Sequence, residues 1–364
     1  MSPNITDEDI AETVAVLRSG SLVQGRKVEE FERAVAEYLQ VKNVIAVSSG
    51  TACLHLALIA LGVGAGDEVI VPTLSHVATA NVVEIVGAKC VFVDVEPDTF
   101  NIDVSRIEQA ITPSTRAIIP VHEFGLACDI SQVVEIARRR DLFVVEDAAC
   151  ALGAAVDQKF VSTFGELGSF SLHPRKAITS GEGGLLATDD ETLSIRLKAL
   201  RNHGIHERDG KQDFADAGFN YRLTDFQAAL AHSQFKRLDQ NLQAKSKLAD
   251  VYLAELSGEE NLALPLVPDG TQHTWQTFHI VLNDRVDRQR LMDELKANGI
   301  GTNYGAQCIP AVTYYRNKYG LDCSRLFPNA LRAYEHGLAL PIYEKLTDDN
   351  IRFVCSVLKA GLND

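Results

Sequence analysis

The sequence predicts an α/β protein: a large domain on a mostly parallel sheet covered on both faces, then a smaller C-terminal α+β domain. Two observations point there. From Val44 to Glu146, short apolar runs alternate with stretches of helical spacing, the rhythm of a parallel sheet with helices on both faces. After Thr188 the periodicity turns helical and then mixed, which suits a second, smaller unit. We place the large domain at residues 1–235 and the small one at 236–364.

Taken in order, residues 4–18 form a first helix. Ile5 and Thr6 enter it, Ile10, Val14 and Leu17 mark an apolar face, and Ser19-Gly20-Ser21 breaks it. Residues 28–39 are amphipathic through Val28, Phe31, Ala34, Val35 and Tyr38. Strands are expected at 44–47, 68–71, 89–93, 117–120 and 142–146, with helices at about 51–61, 76–86, 103–111 and 130–140 between them. Asn43 and Asp67-Glu68 mark turns entering strands. Residues 191–200 read as a helix, and the polar stretch 202–217 as a loop. One long helix is expected from about Thr224 to Leu256. Segments 274–282, 288–298 and 348–361 furnish the small domain.

At 364 residues with 46% hydrophobic content, the chain can fill a substantial core. Its formal net charge is −14, its pI lies near 5.2, and no basic block appears, which argues against nucleic-acid binding. An anionic ligand would need local positive charge, from residues such as Arg175, His173 or Arg222. The seven cysteines are scattered, odd in number and without metal-ligand spacing. They read as reduced cytoplasmic thiols, with no metal site. The N-terminus is acidic and polar, unlike a signal peptide. No apolar run approaches the roughly 18 to 20 residues that a membrane span needs.

The chemistry centres on residues 168–188. Lys176 lies between an apolar run (Phe170-Ser171-Leu172) and a glycine-rich turn (Gly181, Glu182, Gly183, Gly184). A strand–loop–strand course would put it at a mouth lined by small residues, where a lysine can form a Schiff base with pyridoxal 5′-phosphate. Alone, Lys176 reads better as a solvated surface lysine. Two further stretches change that. Residues 142–155 form a buried strand ending in Glu146-Asp147, and a carboxylate there suits a pyridinium nitrogen. Residues 44–61 run strand, Ser48-Ser49-Gly50-Thr51, apolar helix, which makes a phosphate seat. The three together, in that order, are far more specific than any one.

These stretches resemble the DegT/DnrJ/EryC1/StrS sugar aminotransferase family of fold-type I pyridoxal-phosphate enzymes. The resemblance runs through residues 48–58, 64–81, 120–130, 144–154, 170–184 and 218–230, in the family's order. It implies that Lys176 is the Schiff-base lysine, that Asp147 pairs with the pyridine nitrogen, and that Gly50, Thr51 and Ser171, beside Ser49, hold the phosphate. It implies that Asn220 reaches the neighbouring subunit's cofactor, hence a homodimer with shared sites. Two positions depart from the family pattern. His76 stands where Tyr or Phe usually stacks on the ring, and Cys150 where Gln or Glu is common near the phenolic oxygen. Related dehydratases carry His at the Lys176 position, so Lys176 places the chain with the transaminating branch.

Other residues are weighed singly. His122 and Glu123 follow a strand end, where ligand contact and a loop pair satisfied by the backbone are equally good readings. His173 and Arg175 are candidate substrate contacts, with Glu123 beside them. Arg222, His55 and Glu182 read as structural. Residues 301–320 depart from the family stretch that would identify the sugar, and Tyr304, Tyr314, Tyr315 and Tyr319 read as packing. The expected activity is transamination of a nucleotide-linked keto-sugar, with glutamate as amino donor by resemblance. A keto-cyclitol substrate, or a regulatory protein on this fold that has lost catalysis, are the alternatives.

Overall fold

The computed structural model describes residues 3–208 and 210–363. Helix α1 (Asp7–Ser19) starts with a reciprocal cap: Asp9 N donates to Thr6 Oγ1 (3.3 Å) and Thr6 N to Asp9 Oδ2 (2.8 Å). It ends at Gly20, whose φ of 76° suits a residue without Cβ. Helix α2 (Arg26–Leu39) buries Val28, Phe31, Val35 and Leu39, the face its spacing predicts.

The central sheet has seven strands: β1 (Asn43–Val47), β2 (Glu68–Pro72), β3 (Lys89–Val93), β4 (Thr115–Ile118), β5 (Phe143–Asp147), β6 (Leu167–Ser171) and β7 (Gly184–Thr188). Their order is β1-β7-β6-β5-β4-β2-β3. From β6 to β3 every pairing is parallel, whereas β7 runs antiparallel to both β6 and β1. Helices α3 (Gly50–Ala60), α4 (Ala78–Ile85) and α5 (Ile130–Arg140) connect these strands. Residues 52–58 of α3 are all buried, so this helix is apolar all round. The C-terminal ends of β2, β4, β5 and β6 open on one edge, where parallel sheets place their ligands.

Beyond α6 (Glu191–Leu200) two expectations are corrected. Residues 202–217 are not a plain loop: β8 (Ile205–Arg208) and β9 (Lys211–Phe214) pair as a hairpin. Here alternate backbone pairing prevails without an apolar face to advertise it. The single helix expected from Thr224 to Leu256 is two, α7 (Asp225–Phe235) and α8 (Leu238–Glu255). The break falls at Arg237, whose guanidinium meets Asp9 at 3.1 and 2.9 Å. Burial works against the Asp9 charge, but Arg237 and the capping bonds hold its carboxyl down at about 2. One chain turn is thus tied to the N-terminal helix.

The rest forms a three-stranded antiparallel sheet, β10 (Leu262–Ala263), β11 (Phe278–Leu282) and β12 (Gly337–Leu340), with α9 (Arg288–Ala297), α10 (Thr313–Tyr319), α11 (Pro328–His336) and α12 (Asp348–Asn363). Leu248, Tyr252, Phe278, Leu291, Ile351 and Leu358 make a separate core there. Cys308, Tyr315, Phe327 and Ala330 instead join the core of the large sheet. Tyr315 and Tyr319 are anchored to it, by Asn81 (2.6 Å) and Glu84 (2.6 Å). Tyr304 and Tyr314 are exposed. All seven cysteines are free thiols.

Candidate active site

The site is assembled from the open edge of the sheet. At the end of β1, Ser49 caps α3 by accepting the Ala52 N–H at 3.1 Å. The first N–H groups of that helix have no intrahelical acceptor and face outward. Gly50 passes so close to β6 that a Cβ there would sit 2.9 Å from Ser171 Cβ. Ser49, Gly50 and Ser171 therefore form one small-residue cradle, with Thr51 exposed at its rim. Ser171 Oγ accepts the His173 N–H at 3.3 Å.

Asp147 ends β5 and is buried, 4% exposed. Thr79 Oγ1 donates to its Oδ2 at 2.8 Å, and Ala149 N to its Oδ1 at 3.1 Å. Thr79 escaped the sequence reading, although it stands three residues after His76 at the start of a helix. Ser75, in turn, meets Thr79 at 3.2 Å.

Lys176 sits in the loop between β6 and β7, which is tied across its neck by Leu172 N to Gly183 O (2.8 Å) and Thr179 Oγ1 to Leu172 O (2.8 Å). Its Nζ donates to Cys150 Sγ at 3.0 Å. Burial works to lower the Lys176 pKa, but Cys150, Asp147 and Glu123 outweigh it and hold the ammonium above its ordinary range. Burial pushes the Cys150 thiol up, only partly offset by Lys176. The pair is an ammonium beside a thiol.

Glu123 is buried, and burial together with Asp147 raises its carboxyl to about 7. Its turn is held in an unusual shape: Phe124 has φ 55° and Gly125 φ 98°. A Cβ on Gly125 would lie 2.2 Å from Thr274 Oγ1. Thr274 Oγ1 in turn donates to Cys150 O at 3.1 Å, clamping this turn to the Cys150 segment. His76 is exposed, its Nδ1 accepting Ala78 N at 3.2 Å. Crowding on one flank and the Lys176 charge lower its pKa, so it faces the site as a neutral ring.

The remaining residues divide. His173 accepts the Arg175 N–H at 3.3 Å, and burial lowers its pKa. Arg175 is exposed, and its carbonyl accepts from Gln276 Nε2. His122 is no ligand group: it is fully buried, bonded to Glu146 at 3.0 Å and accepting Cys128 N at 3.2 Å. Arg222 bonds Asn202, and His55 meets Tyr221 Oη at 3.3 Å, both structural as expected. Asn220 is exposed, with no side-chain hydrogen bond among the described residues. Tyr221 beside it accepts Ser48 N at 2.8 Å, so Asn220 stands near the mouth of the cradle.

This set fits pyridoxal 5′-phosphate. The cradle would be filled by a single Cβ and its donors are amides at a helix start, which suits a phosphate. Asp147 retains acceptor capacity for a pyridinium N–H, and Lys176 would supply the amine.

Known proteins agree. Residues 3–359 match the DegT/DnrJ/EryC1/StrS aminotransferase family. GDP-perosamine synthase of Caulobacter vibrioides is 41% identical over 279 residues, 76% of this chain and 75% of that protein. The spore coat polysaccharide biosynthesis protein SpsC of Bacillus subtilis is 34% identical over 370 residues, covering 98% and 95%. Among solved structures, Spr1654 of Streptococcus pneumoniae in its PLP-form superimposes with a TM-score of 0.93 at 29% identity, covering 100% and 97%. Helicobacter pylori PseC, an aminotransferase of pseudoaminic acid biosynthesis, gives 0.94 at 26%, covering 100% and 98%. With a strand-end acid, a loop lysine and a phosphate cradle at one sheet edge, the chain belongs to the DegT/DnrJ/EryC1/StrS family and is a pyridoxal-phosphate-dependent aminotransferase.

Proposed function

We propose that the enzyme aminates a nucleotide-linked keto-sugar with glutamate as donor, in a cytoplasmic homodimer whose subunits share sites. The observation that carries the reading is the buried cluster of Lys176, Cys150 and Asp147 beside the small-residue cradle. The relatives named above support the sugar.

When bound, the cofactor supplies the electron sink that lets an amino group move between carbons. The chain's own residues do the rest. Ser49, Gly50, Thr51 and Ser171 hold the phosphate and fix the ring's position. Asp147, oriented by Thr79 and Ala149, keeps a proton on the ring nitrogen. Lys176, whose Nζ rests on Cys150 Sγ, would hold the cofactor through its amine and would move the proton that transamination requires. His76, its pKa lowered by burial and the Lys176 charge, would stack on the bound ring. His173, Arg175 and Glu123 contact the substrate, and Asn220 completes the partner's cradle.

The test is to incubate the cofactor-loaded protein with glutamate and a panel of nucleotide-linked keto-sugars and free keto-cyclitols, following products by mass. Amination of a nucleotide-linked sugar is expected. Turnover of a cyclitol alone would overturn the reading.

A further inference from the structure

Against the Lys176 loop lies a cavity of about 50 Å³. None of Ser49, His76, Asp147 or Ser171 lines it. Arg175, Lys176, Arg237 and Lys245 do, against a single carboxylate, Glu344. The wall opposite the loop is the start of α8. Arg237, Asn241 and Lys245 follow at four-residue spacing there, on one helix face.

Arg237 is committed to Asp9. Lys245 is not committed. It is 6% exposed, and among the described residues its Nζ makes no hydrogen bond or ion pair. Asn241, one turn away, likewise has a side-chain amide without a hydrogen bond among the described residues. A buried ammonium without a partner is costly. Burial pulls Lys245 down to about 8, with Glu344 opposing too weakly to compensate.

We propose that this cavity binds one small monovalent anion of halide size, held by the Lys245 ammonium and the Asn241 amide. The size decides the class. The cavity exceeds the ~10–15 Å³ that a single small occupant requires, and falls far below the roughly 300 Å³ at which organic-ligand pockets begin. A sugar or a second cofactor does not fit. Charge decides the sign: Arg237 is neutralised by Asp9 and Lys176 Nζ rests on Cys150, which leaves the buried Lys245 ammonium without an ion pair among the described residues, in a lining that holds one carboxylate, Glu344. The occupant joins α8 to the catalytic loop, because Lys176 lines the opposite wall. It stabilises the folded enzyme by mass action and adds a negative neighbour behind the lysine.

The probe is bromide. Melting of the cofactor-loaded enzyme is followed in sodium bromide against sodium gluconate at constant ionic strength, gluconate being too large for the cavity. Crystals grown in bromide are examined by anomalous scattering. Wild type is expected to gain stability saturably with bromide and to show one anomalous peak beside Lys245. Lys245→Met, which keeps the length and removes the charge, should lose the response. Asn241→Leu should weaken bromide binding by about tenfold, the loss of one hydrogen bond to an ion. No difference between the two salts in wild type would overturn the proposal. So would a bromide response retained in Lys245→Met. Should that variant fail to fold, the wild-type map decides: a peak at Lys245 supports the site, and none refutes it.

Discussion

Glu146 and Asp147 are successive residues at the end of β5, so they point to opposite faces of the sheet. Both are buried carboxylates with a nearby cation-capable group. Glu146 accepts from Ser162 N (2.7 Å), Phe164 N (2.7 Å), Gly165 N (2.9 Å) and His122 Nε2 (3.0 Å). Among the described residues, the Asp147 carboxylate accepts only from Thr79 Oγ1 and Ala149 N. A carboxylate offers about four acceptor positions. Glu146 has filled them with its own fold, whereas Asp147 is held in orientation with about two positions left for further donors. The saturated acid stitches the loop at 162–165 to the sheet, and the unsaturated one keeps acceptor capacity that a ligand could use.

That contrast can be broken at its largest point by Lys176→Ala. Asp147 has a use only if an amine is delivered opposite it, so turnover should fall to background while the fold persists. Near-normal transamination in a steady-state assay would remove Lys176 from its role. Exchanging the two acids is sharper. Asp147→Asn should lower kcat/KM by at least about a hundredfold, about 2.7 kcal/mol, with little change in melting. Glu146→Gln should do the reverse. Its amide NH₂ would confront backbone donors, costing about 3 kcal/mol of stability, while activity per folded molecule stays near wild type. Equal losses of activity in both variants would erase the distinction.

The same contrast explains what the sequence disclosed. Asp147, Lys176 and the residue 48–51 seat are read easily because each is bound to a local pattern: a strand end, a glycine-rich turn, a helix start. The strands of the large sheet are read for the same reason. What escaped depends on partners distant in sequence. Lys176 meets Cys150 across 26 residues, and α7 parts from α8 because Arg237 finds Asp9 across 228. The hairpin of β8 and β9 carries no apolar alternation, its described residues being mostly exposed, so pairing left no trace in hydropathy. Lys245 looks like any lysine on an amphipathic helix until the loop closes over it.

A smaller effect concerns the cradle's rim. Asn220 is exposed in the single chain and lacks a side-chain partner there, as a residue serving a neighbouring subunit would. Thr224, not Asn220, enters the cap of α7, through Gln227 Oε1 at 2.7 Å. Mixing inactive Lys176→Ala chains with inactive Asn220→Ala chains under subunit exchange should restore a fraction of wild-type activity. One site of the mixed dimer then carries both lesions and the other none. Failure to recover despite proven exchange would mean that Asn220 serves its own subunit.

The last effect, read only through pH, concerns a third acid, Glu123, which lies just beyond β4 as Asp147 lies at the end of β5. It is as buried as its two neighbours but lacks the ring of N–H donors that stabilises Glu146. Burial first, and the Asp147 charge second, raise its carboxyl from 4.5 to about 7. The folded state therefore holds a proton that the unfolded state has released between those two values. Stability must then fall as pH rises through that window, by at most about 1.4 kcal/mol per pH unit. Below the unfolded value both states are protonated, and above about 7 both are ionised, so the penalty is flat outside the window. Glu123→Gln cannot ionise and should lose this slope. In the cofactor-free protein, its melting temperature should lie closest to wild type near pH 4.5 and rise above it by a few degrees at pH 8. Parallel melting curves for the two proteins across that range would show that Glu123 is not held protonated in the fold, and would remove it from the comparison.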